Sequence, residues 1–179
     1  LRQAGRVDHG DAFLDTHVLE RSRGITIFAK EARLTLPHTE LTLLDTPGHA
    51  DFGAEMERTL SVLDYALLII SGTDGVQAHT ETLWRLLERY RLPVFIFINK
   101  MDRPGADRDG ILENLQQKLS PACLPADAEE ETLALCNEEL MQEYLEGGTL
   151  TAERLAAAVA RREWFPCFWG AALRQEGIT

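Results

Sequence analysis

Four short polar clusters in this chain have residue types and spacings suited to chemistry on a phosphate and a base. Asn99-Lys-Met-Asp102 closes an apolar run. The Asp102 carboxylate can accept two parallel hydrogen bonds from guanine's N1–H and exocyclic amine, a pair that adenine does not offer. The Asn99 amide can bond the base edge or brace the neighbouring loop, and the Lys100 stem can lie over the ring face. In Leu41-Thr-Leu-Leu-Asp-Thr-Pro-Gly-His49, a strand-like run holds Asp45 at its tip, followed by a Pro-Gly turn and His49. A carboxylate so placed can face a metal, and Gly48 lets a peptide N–H approach a phosphate with no side chain in the way. A neutral His49 imidazole can orient a water for attack on a phosphoryl group, a task of positioning more than of basicity. Thr26 ends Arg23-Gly-Ile-Thr26. Its hydroxyl is a hard-oxygen ligand for Mg²⁺, and its N–H can reach a terminal phosphate. The stretch Gly170-Ala-Ala-Leu173 offers bare backbone N–H groups to a base carbonyl. Taken singly, each cluster also reads as an ordinary turn or strand end.

Their weight comes from the elements that must position them. Ile25–Leu36 alternates, Pro37-His38 makes a turn, and Glu40–Leu44 continues as a second strand, which predicts an antiparallel hairpin. Phe52, Met56, Leu60 and Leu63 recur at helical spacing. The apolar runs Tyr65–Ser71 and Pro93–Ile98 predict buried strands, and Phe165–Trp169 a short one. Between them lie a helix capped by Thr80, with Leu83, Leu87 and Tyr90 on one face, and a helix from Arg108 to Leu119. Pro121–Ala128 breaks the pattern. Helices over Asn137–Glu146, stopped by Gly147-Gly148, and from a Thr151 cap to Arg162 follow. Residues 1–24 read as a long, mobile surface loop. Strands alternating with helices after one hairpin predict an α/β fold, a mostly parallel sheet covered by helices on both faces. Such sheets bind ligands at the carboxyl ends of their strands, where the polar clusters fall.

Composition sets outer limits. A chain of 179 residues with 45% hydrophobic content is one domain in size and can bury a core. Eighteen basic against 29 acidic residues, a net charge of −11, argue against a broad basic face for free DNA or naked RNA. Three widely spaced cysteines without a Cys-x-x-Cys pair read as ordinary thiols of a reducing compartment. The apolar runs are too short to span a bilayer, and no secretory signal opens the sequence. A cytoplasmic domain with no membrane contact is expected.

The sequence resembles the GTP-binding domain of the translational GTPases that act on the ribosome. It is similar to elongation factor G and, more closely, to the tetracycline-resistance ribosomal protection proteins. The resemblance rests on Leu19-Glu-Arg-Ser-Arg-Gly-Ile-Thr26, Leu44-Asp-Thr-Pro-Gly-His-Ala-Asp-Phe52, Ser61-Val-Leu-Asp-Tyr65, Asp74-Gly-Val-Gln-Ala-His-Thr-Glu81 and Phe97-Ile-Asn-Lys-Met-Asp102. It runs from Leu1 to Thr179, and the short segment between Leu119 and Phe165 favours the protection branch, because elongation factor G carries a larger insertion there. The resemblance implies a P-loop, small-GTPase-like fold, with residues 1–24 in the first switch and 120–164 as a helical insertion. It implies GTP or GDP as ligand with Mg²⁺, and the ribosome as partner of the full protein. Thr26 would ligate Mg²⁺ and sense the γ-phosphate, and Asp45 would hold the metal through water. Gly48 would touch the γ-phosphate, and His49 would place the attacking water. Asn99, Lys100 and Asp102 would read guanine, with the Ala172 N–H on its carbonyl oxygen. Ala171-Ala172 stands where the family has Ser-Ala, which keeps Ala171, Ala172 and Leu173 as backbone contacts but removes one side-chain brace.

The family opens with a strand and a Gly-x-x-x-x-Gly-Lys-[Ser/Thr] phosphate loop, a pattern these 179 residues do not contain. Leu1-Arg-Gln matches the end of the helix after that loop. The 179 residues alone are therefore expected to hold Mg·GTP weakly or not at all and to show no turnover. The first strand would lie between those near Leu44 and Ile69. Its loss is expected to leave two apolar edges open to strand exchange between copies. An alternative reading is a non-hydrolysing module that oligomerises or binds another protein.

Overall fold

Continuous apolar runs, the pattern of strands buried on both faces, form the centre of the larger of two units. The computed structural model describes residues 30–37, 39–46 and 53–178, with units 1–63 and 64–179 taken separately. Thr26, Gly48, His49 and the loop 1–24 lie outside the described residues.

In the first unit, β1 (Lys30–Leu36) and β2 (Thr39–Asp45) form the expected antiparallel hairpin, with Leu36 opposite Thr39 and Lys30 opposite Asp45. The register puts Ala32, Leu34, Leu41 and Leu43 on one face, alternating with Glu31, Arg33, Glu40 and Thr42. A helix, α1 (Gly53–Leu60), follows and buries Met56, Thr59 and Leu60.

The second unit holds a wholly parallel sheet. Its strands are β3 (Ala66–Ser71), β4 (Val94–Asn99), β5 (Cys123–Pro125) and β6 (Phe165–Trp169), in the order β3-β4-β6-β5. One face carries Leu68, Ile70, Val94, Ile96, Ile98, Phe165 and Cys167, all buried. Helix α2 (Ala78–Arg89) brings Trp84 and Leu87 to this side, and the Trp84 ring meets Phe165 edge-on at 4.7 Å. Helix α3 (Arg108–Lys118) buries Ile111 and Leu115 and packs on β5. On the opposite face, Phe95 and Leu124 pack against a second cluster of Leu133, Leu140, Ala158, Val159 and Trp164. Those five come from α4 (Glu130–Ala134), α5 (Glu138–Gly147), α6 (Ala152–Ala160) and the turn before β6. Helices thus lie on both faces of the sheet, but β3, read from the sequence as a buried strand, is buried on one face only: Leu67 and Ile69 on its other face are 58% and 62% exposed. The segment 120–164 is mostly helical. No helix of the described residues is long and apolar enough to cross a membrane.

Three local expectations need correction. Thr80 does not cap α2: it is the third helical residue, and its Oγ1 accepts the N–H of the true cap, Gln77, at 3.3 Å. Thr151 is at the cap of α6, but its hydroxyl donates to Glu143 Oε1 at 2.8 Å instead of satisfying a helical N–H. The Pro121–Ala128 break contains β5, whose three residues are too few to show a period.

Arg162 ties the helices to the sheet. Its backbone is left-handed, with φ 62°, and its guanidinium lies 5.2 Å from the Trp84 ring and 5.1 Å from that of Phe165. It donates to the carbonyls of Leu87 and Leu92, at the end of α2 and the entry to β4. Burial lowers its pKa from the ordinary arginine value. Arg162→Leu leaves two carbonyls without this donor and is expected to cost about 1–3 kcal/mol. Urea unfolding checks this, and an unchanged midpoint removes Arg162 as an anchor.

Candidate functional site

Parallel pairing brings three strand ends to one level. Ser71 is opposite Asn99, and Ile98 is opposite Trp169, so Asn99 and Gly170 are the next residues outward. Beyond that level the ladder stops, and each loop must find other partners for its backbone groups. Gly72 N–H donates to Asn99 O at 2.8 Å, Gly170 N–H to Ile98 O at 2.9 Å, and Met101 N–H to Gly170 O at 3.1 Å.

The Asn99 side chain completes the junction. Its Oδ1 accepts the Lys100 N–H at 2.8 Å and the Ala172 N–H at 3.0 Å. One amide oxygen therefore joins the Asn99–Asp102 loop to the Gly170–Leu173 loop. Of the two tasks open to Asn99, bracing is the one seen. Ala172, placed by the resemblance on a base carbonyl, here donates to Asn99. The same junction holds Lys100 at φ 65°, a left-handed conformation that costs a non-glycine residue about 1–2 kcal/mol. Asn99 and Lys100 are half-buried, and the Asp102 side chain is 22% exposed at the rim.

Two glycines make this approach feasible. A Cβ on Gly72 would lie 2.5 Å from Met101 Sδ, and one on Gly170 would lie 2.8 Å from the Phe97 ring. Helix α3 steadies the loop after β3: Asn114 Oδ1 accepts the Val76 N–H at 2.9 Å, and Lys118 Nζ donates to Val76 O at 2.9 Å. Arg108, at the start of α3, stacks 4.3 Å above the Trp169 ring, just before Gly170. The sequence reading does not single out Gly72 or Arg174, although Arg174 Nε lies 3.0 Å from Asp102 Oδ2. Gly72 ends an apolar run and was legible as a close approach; nothing local marks Arg174.

Asn99, Lys100, Asp102, Ala171, Ala172 and Leu173 thus come together within the second unit. Asp45 is half-buried at the end of β2 in the first unit. Among the described residues no three His, Cys, Asp or Glu side chains gather as a metal site.

A parallel sheet with polar loops braced together at its carboxyl edge is the arrangement of a nucleotide-binding α/β domain. Residues 1–179 match the elongation factor Tu GTP binding domain along their whole length, and the chain belongs to that family. The tetracycline resistance protein TetM of Streptomyces lividans is 40% identical, over 98% of this chain and 31% of its own length. The oxytetracycline resistance protein of Streptomyces rimosus is 38% identical, over 99% and 31%. The tetracycline resistance protein TetW of Butyrivibrio fibrisolvens is 35% identical over the same shares. A crystal structure of a Thermus thermophilus protein superposes with a TM-score of 0.86 at 26% identity, covering 99% of this chain and 34% of that one. The chain spans roughly a third of the length of these curated relatives. The expected family and fold are borne out.

Asn99→Ala removes the shared acceptor and leaves two N–H groups to find new partners. It is expected to cost about 1–3 kcal/mol and to speed amide hydrogen exchange at Lys100 and Ala172 together. Exchange that changes at one of the two alone breaks the proposed coupling of the loops.

Proposed function

We propose that this chain is the GTP-binding and GTP-hydrolysing domain of a cytoplasmic translation factor that acts on the ribosome, of the kind that protects ribosomes from tetracycline. The observation that carries the reading is the Asn99 junction, which sets a carboxylate and a run of backbone beside each other at three adjacent strand ends. The names of the relatives supply the tetracycline and resistance terms. Residues 1–24 would form the first switch, and 120–164 the helical insertion.

In this reading Asp102 accepts guanine's N1–H and amine, and the Lys100 stem covers the ring. The backbone of Ala171, Ala172 and Leu173 lies beside the base carbonyl, its position set by Asn99 through Ala172. Mg²⁺ fits a sparse protein shell, since it keeps several waters and takes one or two protein oxygens plus phosphates. Asp45, a carboxylate at a strand end, and Thr26 would hold it. The bound ion would neutralise charge developing on the phosphates. Gly48 would meet the γ-phosphate, and His49 would place the attacking water.

Asp102→Asn, made in the protein as encoded in full, should turn preference from GTP toward xanthosine triphosphate, because xanthine offers an acceptor where guanine has its amine. Competition between the two nucleotides checks it, and unchanged guanine preference takes Asp102 out of base reading. His49→Ala should leave GTP affinity near that of the wild type and lower ribosome-stimulated turnover about a hundredfold or more. Equal turnover in the two proteins rules out the water-placing role.

A further inference from the structure

The carboxylate assigned above to guanine already has a partner. Arg174 Nε lies 3.0 Å from Asp102 Oδ2, with the Asp102 side chain 22% exposed and that of Arg174 61% exposed. We propose that Arg174 is a latch on the base site: its guanidinium occupies Asp102 when no base is bound, competes with guanine for that carboxylate, and so sets nucleotide affinity. The inference rests on the base-reading role of Asp102.

The chemistry of the two competitors is alike. A guanidinium presents planar N–H donors to a carboxylate, and so does the N1–H and amine edge of guanine. The contact takes Oδ2, one of the two oxygens that the guanine edge would use, so a base that bonds both oxygens competes with Arg174 for Oδ2. A lysine or a neutral side chain at 174 would not imitate that edge.

The backbone makes the contact a built one. Arg174 closes a 3-10 turn, Ala172–Arg174, that begins two residues after Gly170. Its N–H donates to Ala171 O at 2.9 Å. Ala171 and Glu176 then bridge in both directions, Ala171 N–H to Glu176 O at 3.0 Å and Glu176 N–H to Ala171 O at 3.3 Å. Gln175 at φ 59° and Gly177 at φ 71° turn the chain back. This closed loop is pinned to Asn99 through Ala172, which holds the Arg174 backbone beside the Asn99–Asp102 loop, while its long side chain is 61% exposed. A fixed base with an exposed arm is what a displaceable latch requires.

The strength is modest, as it must be for a contact that yields to a ligand. Exposed ion pairs are weak enough that the open and closed forms are both populated, and affinity falls by the closed fraction. Arg174→Gln should therefore tighten GDP binding about two- to sixfold at low ionic strength. The gap should narrow as salt screens the pair. Because the latch acts on the empty site, the gain should appear in the association rate, with dissociation unchanged.

The test measures GDP and xanthosine diphosphate affinity and stopped-flow rates in the protein as encoded in full. It compares the wild type, Arg174→Gln, Asp102→Asn and the double variant. The expected result is tighter GDP binding by Arg174→Gln through faster association, and no effect of the same change on xanthosine diphosphate binding when Asp102 is Asn. Unchanged or weaker GDP binding by Arg174→Gln overturns the latch. So does an equal gain in the Asp102→Asn background, which would place Arg174's action on the phosphates, or a gain confined to dissociation. If Asp102→Asn does not change base preference, the base-reading role itself fails and the latch fails with it, a result distinct from the others.

Discussion

A single amide oxygen, Asn99 Oδ1, accepts two backbone N–H groups from loops that are far apart in sequence. Parallel strands hydrogen-bond along their length, but nothing in a ladder holds the loops beyond its end. The Asn99–Asp102 and Gly170–Leu173 loops are joined by one direct backbone bond, Met101 N–H to Gly170 O, and the shared acceptor adds the second point that fixes their relative position. Each such bond contributes only about 1 kcal/mol net. Two converging on one atom also fix a relative position, which is the property that recognition of a flat ligand needs. The left-handed backbone at Lys100 is retained for the same reason: the bond to its N–H offsets the cost of the conformation.

That oxygen can reach both donors only because the sheet beneath sets the strand ends level. The register of β3, β4 and β6 puts Ile96 and Ile98 on one face and Phe95 on the face of the second cluster, and a slip of one residue would exchange isoleucine and phenylalanine between the two. Arg162 then covers this core: it lies over the edge-packed pair of Trp84 and Phe165 rings and bonds carbonyls at both the end of α2 and the entry to β4. On the outer side, Asp107 Oδ2 caps α3 through the Gly110 N–H at 3.2 Å, and α3 in turn holds the loop after β3 through Asn114 and Lys118. The site is thus supported from below by packing and from the side by polar contacts.

What the sequence makes legible follows from the range of each interaction. The strand near Ile96 is plain because an apolar run buried or half-buried along its whole length shows in any window; the one near Ile69 is as plain as a run, although only Leu68 and Ile70 of it are buried while Leu67 and Ile69 are 58% and 62% exposed. The helix at Asn137 is plain because cap and stop residues act within one turn; Asn137 Oδ1 accepts the Leu140 N–H at 2.8 Å, and Gly148 closes the helix at φ 70°. Thr80 misleads because a threonine in the first turn bonds the N–H of the true cap, Gln77, from within the helix, so it marks the helix start without being the cap. Thr151 is at its expected cap position, but a tertiary neighbour, Glu143, takes its hydroxyl. Strand β5 is hidden because three residues containing a proline carry no period, and only pairing with β6 makes them a strand. Among the base-side residues, Asn99 and Asp102 are visible as a motif. The choice between bracing and base contact for Asn99 is not, since it depends on where Gly170 and Ala172 arrive. Arg174 is invisible for a similar reason, because its partner is a carboxylate in another loop, Asp102.

The base-side residues, Gly72, Asn99, Lys100, Asp102, Gly170, Ala172 and Arg174, all belong to the second unit. Asp45, the carboxylate assigned to the metal, belongs to the first. The residues proposed for the base and the carboxylate proposed for the metal therefore belong to different units. Changes at Asn99 or Asp102 alter contacts to Lys100, Ala172 and Arg174, all of them within 64–179. Within that unit the backbone at Ala171 and Ala172 is held without any hydroxyl, by the Ala172 N–H on Asn99 Oδ1 and by the Ala171–Glu176 bridge.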